Sequence, residues 1–293
     1  MVDNRSKLIH VHHCQGIGWR GIDKLMTHQE ALDRLYDLSV DDFVEIMRTP
    51  RQKVETFYHS LHTLPIERLL RTYQETGIHV LTIGDADYPN ELKEIYDPPW
   101  VLYTQGDVSL LQAAKKLSVV GTRRPSQAGV KSMDKILNPL VNEGFVLVSG
   151  MAVGIDARAH QIGLTNGTIA VLGSGFDHPY PKQNQGLFRL LCDHHLVISE
   201  YPPSTKPARW RFPERNRIIS GLSAGTLVVE AKERSGSLIT ADQALEQGRD
   251  VFAVPGTILT DDALGTNRLI QQGAKLVTSS QDIMNERHFF GIS

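Results

Sequence analysis

Cysteine is nearly missing from this chain: 293 residues hold only Cys14 and Cys192, in no CxxC spacing. That scarcity argues against a disulfide framework or a thiolate metal cage and fits a reducing compartment. Also missing is any apolar run near the roughly 18 residues that span a bilayer. The opening MVDNRSKLIHVHHCQ has no apolar stretch behind a basic start, so the protein is expected in the cytoplasm with no membrane partner. Neither charge sign dominates, because 31 Lys and Arg stand against 33 Asp and Glu. Nucleic-acid binding would therefore have to come from a local basic patch. Internal repeats and low-complexity tracts are absent as well, which argues against a solenoid or a disordered linker.

What is there reads as two domains. Residues 1–76 carry leucines at helical spacing (Leu25, Leu32, Leu35, then Leu61, Leu64, Leu69 and Leu70) and no strand-like run, predicting a small all-α domain. Within it, Gly16-Ile17-Gly18 fits a tight turn between helices, either purely structural or able to approach a phosphate. His10, His12, His13 and Cys14 supply metal-ligating atoms, but strand alternation would split them between two faces, so no metal is expected. Residues 77–293 alternate short apolar runs (117–120, 145–148, 168–172, 196–198, 226–229 and 251–254) with segments of helical length. This pattern predicts an α/β, Rossmann-like, mostly parallel sheet with helices on both faces.

The chemistry-bearing residues sit where strands should end. Gly121 to Ser126, GTRRPS, has one glycine and two arginines in place of GxGxxG, which favours a phosphate met by guanidinium and backbone N–H groups over a nicotinamide dinucleotide. The next edge, Ser149-Gly150-Met151-Ala152-Val153-Gly154, is small enough to let a ligand approach backbone. Asp156 and His160, four apart, share a helix face; they fit an acid/base pair or a helix-start carboxylate and a packing histidine, and no nucleophile accompanies them. The loop from Gly173 to Asn184 holds aromatics, prolines and Lys182, whose ammonium is either a phosphate contact or a plain surface charge. In KPARWRFPERNR, Lys206, Arg209, Arg211, Arg215 and Arg217 face one anion, Glu214, with Trp210 and Phe212 interleaved. Cations along a backbone with aromatic faces for bases suit sequence-tolerant single-strand binding. Ser235 and Ser237 open a later helix and serve as N-caps or phosphate donors.

The segments VVGTRRPSQAG, VSGMAVGIDARAH, IAVLGSGFDHPYPKQN and SEYPPSTKPARWRFPERNRIISGLSAGTLVVEAKERSGSLITADQALEQGRDVFAVPG resemble the DprA/Smf (DNA-processing protein A) family across roughly residues 78–275. The resemblance implies a SAM-like helical domain before a Rossmann-like domain that dimerises, binds single-stranded DNA in a positive pocket, and loads the RecA recombinase during natural transformation. It places a phosphate contact on Arg123, a basic contact on Arg209, base packing on Phe212 and a near-DNA lysine on Lys182. Arg215, Asn216 and Arg217 of the RNR motif are left between pocket lining and local hydrogen bonding. With Gly121, Ser149, Gly150 and Gly154 they complete the expected DNA-binding set. A C-terminal winged helix carried by some relatives is expected to be missing, and Leu264 to Leu276 is the expected dimer region. No cofactor and no catalysis are expected. The rival reading is a Rossmann-like nucleotide hydrolase or phosphoribohydrolase using Asp156 or Glu230, although the PGGxGT-type loop of such enzymes is absent.

Overall fold

A computed structural model describes residues 3–28 and 32–286; the remainder of the two expected domains lies outside the described residues. The chain forms two compact units, Met1–Tyr88 with Asp97–Tyr103, and Pro89–Tyr96 with Thr104–Ser293.

The first unit is helical: Asn4–His13, Trp19–Thr27, Val40–Met47, Arg51–Thr63 and Ile66–Glu75. Its helix starts follow from local chemistry. Asp3 caps the first by accepting from the Ser6 N–H at 2.8 Å, and Ser39 with Asp42 forms a capping box. The core gathers Ile9, Leu25, Leu35, Phe43, Met47, Val54, Phe57 and Leu61, with Phe43 and Phe57 edge to face at 5.1 Å. Gly16 has φ +80, and a Cβ there would lie 2.4 Å from the Lys53 carbonyl oxygen, so its turn packs tightly against the helix Arg51–Thr63. The histidine cluster lies on a helix, not a strand, so the alternation argument does not apply. His12 bonds the Tyr103 hydroxyl at 3.1 Å and His13 the Tyr73 hydroxyl at 3.1 Å. Burial drives the pKa of His12 to about 3 and that of His13 to about 4, so both stay neutral.

Strand β1 (His79–Thr82) and residues 97–103, which include the first half of β2 (Val101–Gly106), also belong to this unit. The sequence reading starts the second domain at residue 77. The structural grouping differs because side chains tie these segments to the helices: the Trp19 indole donates to the Pro98 carbonyl at 2.7 Å, and Tyr103 is wholly buried beside His12 and His13.

The second unit is the expected α/β architecture. Strands β3 (Lys116–Val120), β4 (Val146–Ser149), β5 (Thr168–Leu172), β6 (Leu196–Ser199), β7 (Gly225–Val228), β8 (Asp250–Ala253) and β9 (Lys275–Leu276) pair in parallel in the order β6-β5-β4-β3-β7-β8-β9. β3 to β7 are buried at every position, which explains why they read as continuous apolar runs rather than alternating ones. Leu117, Leu147, Leu227 and Phe252 pack under Met133, Ile136, Leu137 and Leu140 of the helix Gln127–Asn142. The chain leaves β3 toward β4 and leaves the adjacent β7 toward β8 on the opposite side. That reversal opens a crevice at the strands' carboxyl ends, where parallel sheets bind ligands. No helix among the described residues is long and apolar enough to cross a membrane.

Candidate nucleic-acid interface

The turn after β3 is held by the loop after β7. The Thr122 N–H donates to the Glu230 carbonyl at 2.7 Å, and the Ser126 N–H donates to the Glu230 carboxylate at 2.8 Å. Ser126 in turn caps the following helix by accepting from the Gly129 N–H. With its backbone fixed, the turn projects Arg123 and Arg124 into solvent. The β4 turn locks against it: Gly154 has φ +86, and a Cβ there would fall 2.5 Å from the Thr122 carbonyl oxygen. Met151 adopts φ 63 without being glycine, a conformation that costs energy and tends to occur at functional edges. Its carbonyl accepts from Asn184 at 2.7 Å, which ties this edge to the loop carrying Lys182.

Phe212 lies in the first turn of the helix Arg211–Gly221 and packs against Gly173, where a Cβ would stand 2.7 Å from a ring carbon. Tyr180 meets it at 5.4 Å between centroids, tilted by 45°. Phe212 is half-buried while Tyr180 is 45% and Trp210 60% exposed. The Arg211 guanidinium stacks between Trp210, at 4.8 Å, and Tyr201, at 5.1 Å, and donates to the Lys206 carbonyl. Lys182, Lys206 and Arg209 are exposed. Arg123, Lys182 and Arg209 have no acidic partner within ion-pair distance among the described residues.

Other members of the expected set turn inward. Arg217 is 5% exposed and forks onto Glu200 at 2.5 and 2.8 Å; its bidentate charge is already matched. Arg215 is also 5% exposed. It donates to the carbonyls of Gly150, at 2.8 Å, and Val171, and desolvation lowers its pKa to about 10. Ser149 is fully buried and gives its hydroxyl proton to the Val119 carbonyl at 2.6 Å. The side-chain space at the three glycines is taken by the protein itself: Ile155 at Gly121, Arg215 at Gly150 and Thr122 at Gly154. They are small so that the edge can pack. Asn216 is half-buried, accepting from Arg215 Nε at 3.3 Å and reaching the Gly236 carbonyl at 3.5 Å.

The floor under the rim is polar. Asp156 is 7% exposed and burial raises its pKa to about 6, against the pull of Arg215, two backbone N–H groups and Arg123. His160 is wholly buried, bonded to the Thr168 hydroxyl at 2.7 Å, and burial followed by the Arg215 charge lowers its pKa to about 3. Both carboxylates nominated for the enzyme reading thus have structural neighbours: Glu230 takes the Ser126 N–H and Asp156 the Ala152 N–H at 3.3 Å. Sequence reasoning missed the seat that Gly173 gives Phe212, the Tyr180 contact and the Glu200–Arg217 pair. Tyr180 and Glu200 stand inside the quoted motifs, but only the fold shows what they face.

The sequence model described as DNA recombination-mediator protein A matches residues 79–288. DNA processing protein DprA of Bacillus subtilis is 48% identical over 238 residues, covering 80% of this chain and 78% of its own length. The X-ray structure of DNA processing protein A from Streptococcus pneumoniae superposes with a TM-score of 0.84 at 41% identity, covering 97% of this chain and 98% of its own. That of the Helicobacter pylori protein, for which a single-stranded DNA binding mode is described, gives 0.65 at 29% identity over 71% of this chain and 94% of its own.

Proposed function

The chain belongs to the DNA recombination-mediator protein A family, and from that premise we propose that it binds single-stranded DNA, without catalysis of its own, at the carboxyl edge of its parallel sheet. Arg123, Lys182 and Arg209 capture phosphates, and Phe212 gives a base its stacking face. The observation that carries this is the combination of exposed, unpaired cations with a half-exposed aromatic ring seated on Gly173. Phosphate capture supplies salt-dependent affinity, and stacking tolerates any base. Little sequence preference follows. Arg215 and Arg217 build the floor that holds this rim in place. The described binding mode of the Helicobacter pylori relative supports the same ligand class.

Protection of incoming single strands, loading of the RecA recombinase in transformation and homologous recombination, action in the cytoplasm, and dimer formation through Leu264 to Leu276 are parts of the same proposal, supported by the family resemblance. A dimer would present two such edges, so an oligonucleotide long enough to reach both binds more tightly through effective concentration. The test is the double charge reversal Lys182→Glu with Arg209→Glu: both side chains are exposed, so the unfolding midpoint stays in place while single-strand binding is lost. Retained binding would remove these cations from the interface.

A further inference from the structure

Trp210 leaves 60% of its surface in water, although few side chains gain as much from being covered. The ring is nevertheless held in place. The Arg211 guanidinium lies 4.8 Å from the Trp210 ring centroid and 5.1 Å from that of Tyr201, so indole, guanidinium and phenol stack as a three-layer pillar. Both layers beneath the indole are tied down. Arg211 donates to the Lys206 carbonyl, and the Tyr201 hydroxyl donates to the Glu214 carboxylate at 2.7 Å. With one face on the guanidinium and most of its surface exposed, the indole turns its other face to solvent. A ring oriented in advance loses little further freedom when a flat partner covers it.

The direction of that face separates it from Phe212. Trp210 already has helical backbone angles, φ -72 and ψ -23, so Phe212, two residues on, points about 200° further around the helix axis. Their surroundings differ accordingly. Phe212 packs against Gly173 and Tyr180, in the loop after β5, whereas Trp210 caps the pillar that starts at Tyr201, after β6. One base cannot lie on both rings. The division also bears on strand selectivity. Exposed Arg123, Lys182 and Arg209 would attract the phosphates of single and double strands alike. An aromatic seat instead needs a base with an open face, which a single strand offers and duplex stacking covers.

We propose that Trp210, on its Arg211–Tyr201 pillar, seats a second base, and that the Trp210 and Phe212 seats together set the preference of this edge for single strands. The inference rests on the single-strand function proposed above for the same edge. The test titrates the full chain with a labelled single strand and with its duplex, reading affinity by anisotropy and stacking by tryptophan emission, which a base on the indole quenches. The other two tryptophans, Trp19 and Trp100, lie in the helical unit, so a quench that disappears in Trp210→Phe belongs to Trp210. The single strand is expected to quench the parent in step with the anisotropy, and Trp210→Phe to keep the affinity without the quench. Trp210→Ala weakens the single strand by about fivefold or more and the duplex by less than about twofold, whereas Arg123→Ala weakens both. Combining Trp210→Ala with Phe212→Ala multiplies the two single-strand losses, as separate seats require. If the parent binds no single strand, the functional reading falls and this inference with it. If the parent binds, the second seat alone is overturned by any of four results: an absent quench, full affinity in Trp210→Ala, a double variant no weaker than Phe212→Ala, or a Trp210→Ala change in oligomeric state that makes the ring a protein contact.

Discussion

Arg123 and Arg209 stand in solvent with no acidic partner among the described residues, whereas Arg215 and Arg217, a few positions past Arg209, are 5% exposed and bonded to the protein itself. Exposed rim and buried floor are both rich in arginine, and a count of cations treats them alike. Their physics is opposite. A rim guanidinium gains energy only when a phosphate arrives and displaces its counterions; a floor guanidinium has been desolvated in advance and holds its position through carbonyls and a carboxylate. In the proposed function the rim binds, while the floor ties β4, β5 and the Arg211–Gly221 helix together through the Gly150 and Val171 carbonyls and Glu200.

The sharpest break of this comparison is Arg217→Met. It leaves the Glu200 carboxylate buried without its fork and should cost about 3–5 kcal/mol of stability, read from urea unfolding; a change below about 1 kcal/mol would place Arg217 with the rim. Next comes the pH response of the floor. Asp156 has a folded pKa raised to about 6 from 3.8, so the folded state holds the extra proton. Its contribution to stability is therefore present below pH 3.8 and lost as the pH rises through 6. His160, lowered to about 3 from 6.5, acts in the other direction, and its contribution is lost as the pH falls below 6.5. Asp156→Asn removes the first effect and leaves the second, so the variant loses stability more steeply than the parent between pH 7 and 4, by on the order of 3 kcal/mol. Parallel curves would show that Asp156 is not protonated in this window.

Smaller effects distinguish the two components of the rim. Phe212→Ala should weaken single-strand binding by about 1–3 kcal/mol with the salt slope unchanged, since stacking releases no ions; a slope that fell as for an arginine would refute stacking. Arg123→Ala should flatten the slope of log K against log salt by about 0.7, with little change in stability because its side chain is exposed. An unchanged slope would make Arg123 a structural residue.

Much of this was legible in the chain. The apolar runs at 117–120, 168–172 and 226–229 fall on β3, β5 and β7 within a residue, because strands buried on both faces read as uninterrupted hydrophobicity. Gly121, Gly150 and Gly154 were visible as small residues at an edge. What they made room for was not, since Ile155, Arg215 and Thr122 arrive from elsewhere in the chain. Nor does sequence reveal that residues 215 and 217 turn inward: Arg217 meets Glu200, seventeen positions earlier, only once β6 and the helix pack together. Strand alternation is the wrong frame for the histidines near the start, which lie on a helix with Tyr36, Tyr73 and Tyr103 as partners. The two-residue strand β9 gave no periodic signal at all.

The most direct test is fluorescence anisotropy with labelled single-stranded and double-stranded oligonucleotides of one sequence, titrated with the protein at several salt concentrations. The account predicts tighter binding of the single strand with a clearly negative salt slope. Absence of binding at low salt, or binding that does not respond to salt, would contradict it.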